Sequence, residues 1–168
     1  MALTATGPAL EVFRRAEQEG LPPASERTEA LAKRSQAEDD RTRYARGLEA
    51  LGRISQVSGE AVMNSFNDIA PDLGRYIVEF SYGDVFARPN LDLKTRELAT
   101  VAALTARGTA ADAVPLEVHV HAALNVGANR QEIVETIMQV LPFAGFVPVQ
   151  QAMALAAEVF AERSRDRP

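Results

Sequence analysis

The chain has no cysteine among its 168 residues and only two histidines. Without cysteine there are no disulfides, thiolate metal sites, iron–sulfur clusters or thiol-based redox cycles, whatever the compartment. The formal net charge is −5, and its signs are mixed along the chain. No basic stripe exists to neutralise phosphates, so nucleic acid is not an expected partner. No apolar run approaches the length of a bilayer crossing. The opening M-A-L-T-A-T-G-P-A-L lacks a basic stretch followed by a long apolar one, so a soluble, cytoplasmic protein without membrane contact is expected. Repeats, low-complexity tracts and glycine-rich phosphate loops are missing too.

Apolar residues recur at helical spacing, and β-branched runs bounded by hairpin turns are missing, which predicts an all-α fold. The length suits one domain. Residues 1–40 read as an arm with a surface helix, 41–163 as the helical domain and 164–168 as a tail. A short helix over 9–19 is broken by Leu21-Pro22-Pro23, and the charged stretch from Ser25 gains an apolar row only at Tyr44, Leu48 and Leu51. Ser58 can cap a helix reaching about Ile69. Pro71 suits the first turn of the next, expected to turn Leu73, Ile77 and Phe80 inward. Residues 86–91 then form a loop.

Asp92 can cap the helix that contains Glu97, and Gly108 fits the position just past its end. After a connection over 109–114, Pro115 opens a histidine helix that Gly127 ends. Asn129 and Glu132 form a capping-box pattern, with Ile133, Ile137 and Val140 on one stripe. Pro142, Gly145 and Pro148 interrupt the path before a last helix ending near Arg163.

Two acid–base residues stand out on apolar helical faces. At about 100° per residue, Glu97 falls within roughly 60° of Val101 and Leu104. His119 lies about 60° from Leu116 and about 40° from Ala123, whereas His121 is roughly 200° round from His119. The two histidines therefore cannot share a site within one subunit, and their diverging i, i+2 spacing, without an H-E-x-x-H pattern, does not read as a metal site. Taken singly, each has an ordinary structural reading. His119 can be a hydrogen-bonded core residue, Glu97 a charge favoured by the helix dipole, His121 a surface residue, and Arg88 and Arg96 solvated charges.

The runs Y-A-R-G-L-E-A-L-G (44–52), I-A-P-D-L-G-R-Y-I-V-E-F (69–80), F-A-R-P-N-L-D-L-K-T-R-E-L (86–98), H-V-H-A-A-L-N-V-G (119–127) and F-A-G-F (143–146) together resemble the carboxymuconolactone decarboxylase family. The resemblance covers about residues 40 to 160. It implies a compact multi-helix subunit of the alkylhydroperoxidase-D-like type, assembled as a homo-oligomer, often a trimer or hexamer, with active sites near subunit contacts. It implies no cofactor and a small-molecule substrate. Glu97 matches the glutamate of the family's R-E-L motif, and His119 the histidine of its L-x-x-H-x-R-x-A-L-N motif. His121 stands where that motif has arginine, which exchanges a permanent cation for a side chain mostly neutral at pH 7. The superfamily's C-x-x-C branch is ruled out, since Ala111–Pro115 contains no cysteine.

The reaction implied is loss of CO2 from 4-carboxymuconolactone to give the 3-oxoadipate enol-lactone, a step of aromatic degradation. His119 would donate a proton or polarise the developing dienolate. Glu97 would orient it, since a carboxylate beside an imidazole favours the charged ring. Arg88, with His121, is the candidate for binding the substrate. Other acid–base chemistry on a lactone or cyclic ketone fits the same residues. So does a non-catalytic oligomeric binding or scaffold protein.

Overall fold

The computed structural model describes residues 43–55, 64, 66 and 68–165. The expected arm, its 9–19 helix, the Pro22-Pro23 break and the Ser58 cap lie outside the described residues. Within them the secondary structure is helical, with no strand. The order is α1 (Arg43–Ile54), α2 (Pro71–Tyr76), a π-helix (Ile77–Phe86), α3 (Leu93–Arg107), a 3-10 turn (Ala110–Asp112), α4 (Ala113–Asn125), α5 (Arg130–Gln139), α6 (Leu141–Ala144) and α7 (Phe146–Arg165).

Local chemistry sets the ends of the central helices. The Asp92 carboxylate accepts from the Thr95 amide at 3.0 Å, which starts α3, and Gly108 ends it in the left-handed conformation at φ 59°. At α5 the capping box closes both ways: Asn129 accepts from the Glu132 amide at 2.9 Å, and Glu132 accepts from the Asn129 amide at 2.8 Å. α4 starts two residues before Pro115 and ends at Asn125, two residues before Gly127, so both expected boundaries move slightly. The connection expected over 109–114 is largely the 3-10 turn and the first residues of α4. Near Ile69 the chain is in turns rather than helix, with the Ile69 and Ala70 amides both bonded to the Phe66 carbonyl.

The main core lies where α3, α4, α5 and α7 meet. Val101, Leu116, Val120, Ala123, Ile133, Ile137, Val149 and Val159 are all buried there. Its apolar stripes recur at α-helical spacing, so the reading of Ile133, Ile137 and Val140 as one inward row holds in the structure.

The segment after Pro71 departs from expectation. Leu73 and Phe80 were expected inward, yet they are 42% and 62% exposed, and Ile77 is only half-buried. The buried positions are instead Gly74, Val78 and Gly83. Beyond Val78 the reason is the π-helix, whose i→i+5 hydrogen bonds, such as Ala87 N–H to Tyr82 C=O at 2.9 Å, shift the inward row off α-helical spacing and turn Phe80 outward; Leu73 precedes it on α2, beside the buried Gly74. Two glycines let α1 lie directly against the π-helix. A Cβ on Gly47 would stand 2.1 Å from the Val78 carbonyl oxygen, and one on Gly83 would stand 2.4 Å from that of Arg43. Arg43 also forms an ion pair with Asp84 across this contact.

Candidate active site

Glu97 sits in the second turn of α3, on the inward face shared with Val101 and Thr105. Its side chain is fully buried (0% exposed), and Oε2 lies 2.7 Å from Nδ1 of His119, whose side chain is 19% exposed. A carboxylate can only accept, so the shared proton is assigned to Nδ1, and the ring's Nε2 is left for a further partner. Oε1 of Glu97 is buried with no hydrogen-bond partner among the described residues. Half of the carboxylate thus stays unpaired in a setting where buried polar atoms are normally satisfied.

Two aromatic residues of the π-helix complete this surround. The Phe86 ring stacks on the His119 imidazole with centroids 6.5 Å apart, and Tyr82 packs against Phe86 at 5.4 Å. Burial, with a smaller contribution from the Glu97 charge, pushes the Tyr82 phenol up to about 12. Tyr82 therefore stays a neutral hydroxyl at ordinary pH. Neither aromatic residue was singled out from the sequence, because the α-helical wheel does not describe the segment that carries them.

Arg88 is exposed on the loop two residues beyond Phe86. The loop is latched by Arg96, which donates to the Arg88 carbonyl at 3.0 Å and to the Leu91 carbonyl at 3.0 Å. Arg96 is thus a structural donor rather than a solvated charge. Burial, and then the nearby Arg88 charge, hold its guanidinium below its ordinary value.

The structure keeps His121 apart from the Glu97–His119 pair. Arg163 of α7 donates from Nε to His121 Nδ1 at 3.1 Å, and from Nη2 to the His121 carbonyl at 3.1 Å and to Asn125 Oδ1 at 2.5 Å. The Asn125 amide in turn donates to the Ile54 carbonyl at 3.0 Å, tying α1, α4 and α7 together. His121 Nε2 lies 3.5 Å from Glu162 Oε2. Among the described residues, Glu117, His121 and Glu162 bring their ligand atoms within 4.8 Å of one another. The guanidinium argues against a metal there: Nδ1 accepts from Arg163, so the ring proton belongs on Nε2, and no lone pair is left to face the carboxylates.

A buried acid also went unnoticed in the sequence. Asp112 accepts from the Thr109 hydroxyl at 2.6 Å and amide at 3.2 Å, and pairs with Arg107 at 3.0 Å. The Thr109 hydroxyl bond leads in holding its carboxyl below the usual carboxylate range. The T-x-x-D spacing of a capping box was the available signal.

Residues 71–158 match the sequence profile of the carboxymuconolactone decarboxylase family. The chain belongs to that family. It is similar to the 4-carboxymuconolactone decarboxylase of Acinetobacter baylyi, at 35% identity over 126 residues, covering 73% of this chain and 90% of the relative. It is also similar to an uncharacterized 15.0 kDa protein encoded in the nqo9–nqo10 intergenic region of Paracoccus denitrificans, at 36% identity over 104 residues, covering 62% of this chain and 77% of the relative. Both Glu97 and His119 of this carboxymuconolactone decarboxylase family member fall inside the matched span. Among its described residues no helix is long and apolar enough to cross a membrane.

Proposed function

We propose that this protein is a cofactor-free decarboxylase acting on a small lactone carboxylic acid of the 4-carboxymuconolactone type. The observation that carries the reading is the 2.7 Å contact between the buried Glu97 carboxylate and His119 Nδ1. It leaves one imidazole nitrogen, Nε2, for the substrate. Membership of the family and likeness to the Acinetobacter enzyme support the reaction type.

In the proposed reaction the bond from the ring carbon to the carboxylate breaks, and CO2 leaves. The electron pair runs through the ring double bond into the lactone carbonyl, so the substrate is its own electron sink. His119, protonated at Nε2, steadies the developing enolate and returns one proton to the ring, then regains one from solvent. Glu97 orients the ring and balances the positive charge it carries. Phe86 covers the imidazole, backed by Tyr82, and restricts water there. Arg88 supplies the cation for a substrate carboxylate. His121 has no part in this scheme, because its ring is held by Arg163.

The active form is a homo-oligomer, a trimer or hexamer, in this proposal. Exposed Phe143, Phe146 and Val147 around the α6–α7 junction support it, as do Leu73, Tyr76 and Phe80, since apolar surface of this kind marks contact sites.

Turnover of 4-carboxymuconolactone and related lactone acids by wild type and by His119→Ala tests the reading. His119→Ala is expected to lose about 10²–10⁴ in rate, the range for removing a general acid, with oligomer mass unchanged. Glu97→Gln should lose less, because the amide can still hold the ring but not its charge. Equal rates for wild type and His119→Ala exclude the assigned role. Binding of lactone acids by wild type without turnover of any of them would favour a binding protein.

A further inference from the structure

The loop from Ala87 to Asp92 joins the π-helix, which carries Phe86, to α3, which carries Glu97. Its start is tied to the π-helix: the Ala87 amide donates to the Tyr82 carbonyl at 2.9 Å and the Arg88 amide to the Val85 carbonyl at 3.3 Å. Its end is tied to α3 by Asp92, whose two oxygens accept from the Thr95 amide at 3.0 Å and the Thr95 hydroxyl at 2.7 Å. Between these ties, Arg96 donates from Nη2 to the Arg88 carbonyl and from Nε to the Leu91 carbonyl, each at 3.0 Å. The backbone of Arg88 is thus held at both its amide and its carbonyl.

Holding two carbonyls takes donors but no charge. Arginine has five N–H groups, and Arg96 spends only two of them on the loop. The rest meet no acceptor among the described residues, and neither Arg96 nor Arg88 pairs with a carboxylate there. Arg96 is half-buried, and burial first, then the nearby Arg88 charge, hold its guanidinium below its ordinary value. Asp92 acts the other way, but both of its oxygens are already bonded to Thr95. A half-buried cation beside a second cation is costly until an anion answers both.

We propose that Arg88 and Arg96 together form a carboxylate site, and that it takes the carboxylate the substrate keeps rather than the one it loses. The site deepens the decarboxylase reading, and the choice of carboxylate rests on that reading. As CO2 departs, the leaving carboxylate passes its charge to the ring, so guanidinium groups gripping it would bind the ground state better than the transition state and slow the reaction. A second carboxylate keeps its charge throughout, and cations there bind and orient the substrate without raising the barrier. The substrates are therefore lactone diacids. Arg96 serves them twice, as a charge for the retained carboxylate and as the positioning residue for Arg88.

A saturated γ-lactone bearing one acetic acid arm is a suitable probe, because it has no ring double bond to accept electrons and cannot turn over. The acid and its methyl ester are each titrated into the full-length protein while amide chemical shifts are followed by NMR. The acid should shift residues 86–97 and bind about 10–100-fold more tightly than the ester, the value of hydrogen bonds to a charged group. Arg96→Gln keeps a donor for the loop but no charge, and should erase most of that preference, whereas Arg96→Lys should keep more of it. Arg88→Gln should also erase it, and its side chain makes no hydrogen bond among the described residues whose loss could disturb the loop. No binding of the acid by wild type, equal binding of acid and ester, or an unchanged preference in Arg96→Gln overturns the proposal. In turnover of a lactone diacid, Arg96→Gln should raise KM about 10-fold or more with kcat within about threefold of wild type; a fall in kcat at unchanged KM overturns the assignment. If wild type prefers acid to ester but turns over no lactone acid, the decarboxylase reading fails, and the choice of carboxylate with it, while the carboxylate site stands.

Discussion

His119 and His121 stand two residues apart on one helix, yet they face opposite chemistry. His119 meets a buried carboxylate on α3, which accepts its Nδ1 proton and leaves Nε2 for the substrate in the proposed reaction. His121 meets a guanidinium on α7, which donates to its Nδ1 and sets the opposite tautomer. One ring is the proposed proton donor. The other is a strut. The identity of a histidine says little about its role, and the partner of its buried nitrogen says a great deal.

The comparison is broken most severely at the level of turnover. His121→Ala should keep the rate near wild type, while His119→Ala loses the factor stated above; a matching loss in His121→Ala would return it to the substrate site. Arg163→Ala should act on stability. It removes three hydrogen bonds from a charged group and leaves His121 Nδ1 and Asn125 Oδ1 without them, which predicts a loss of about 2–4 kcal/mol in chemical denaturation. An unchanged denaturation midpoint would show that the strut carries nothing.

The smallest effect belongs to the cover over His119. The Tyr82 phenol is raised to about 12 in the folded protein, so its stabilising contribution is complete below the ordinary tyrosine value and is lost as pH rises toward the folded one. Between those values the unfolded chain ionises first. By about pH 11 wild type should have lost about 1 kcal/mol that Tyr82→Phe does not lose, read as a difference in the alkaline dependence of melting. Parallel alkaline profiles would place Tyr82 in solvent.

What was legible in the sequence follows the regularity of the elements. Asp92, Gly108, Asn129 and Glu132 are local signals, and they mark the helix ends that the structure shows. Because α3 and α4 are ordinary α-helices, angular arithmetic placed Glu97 and His119 on inward faces and His121 away from them. The same arithmetic failed after Pro71. No local signal announces a π-helix, so α-helical spacing turns Phe80 inward where the structure exposes it, and it gives no place to Tyr82 and Phe86. Arg163 is 42 residues from His121, and no spacing rule pairs them.

The π-helix makes the cover over the proposed acid adjustable by length as well as by residue type. A helix wound this way carries more residues per turn than its α counterpart, so deleting one can be absorbed by rewinding rather than by opening a gap. Rewinding between Val78 and Tyr82 would swing Phe86 around the axis and uncover the imidazole without touching any residue in contact with it. Relatives that gain or lose a single position here can thereby differ in how tightly they enclose a substrate while keeping every proposed acid–base group. Alignments that treat such a gap as noise would overlook a change in the shape of the site.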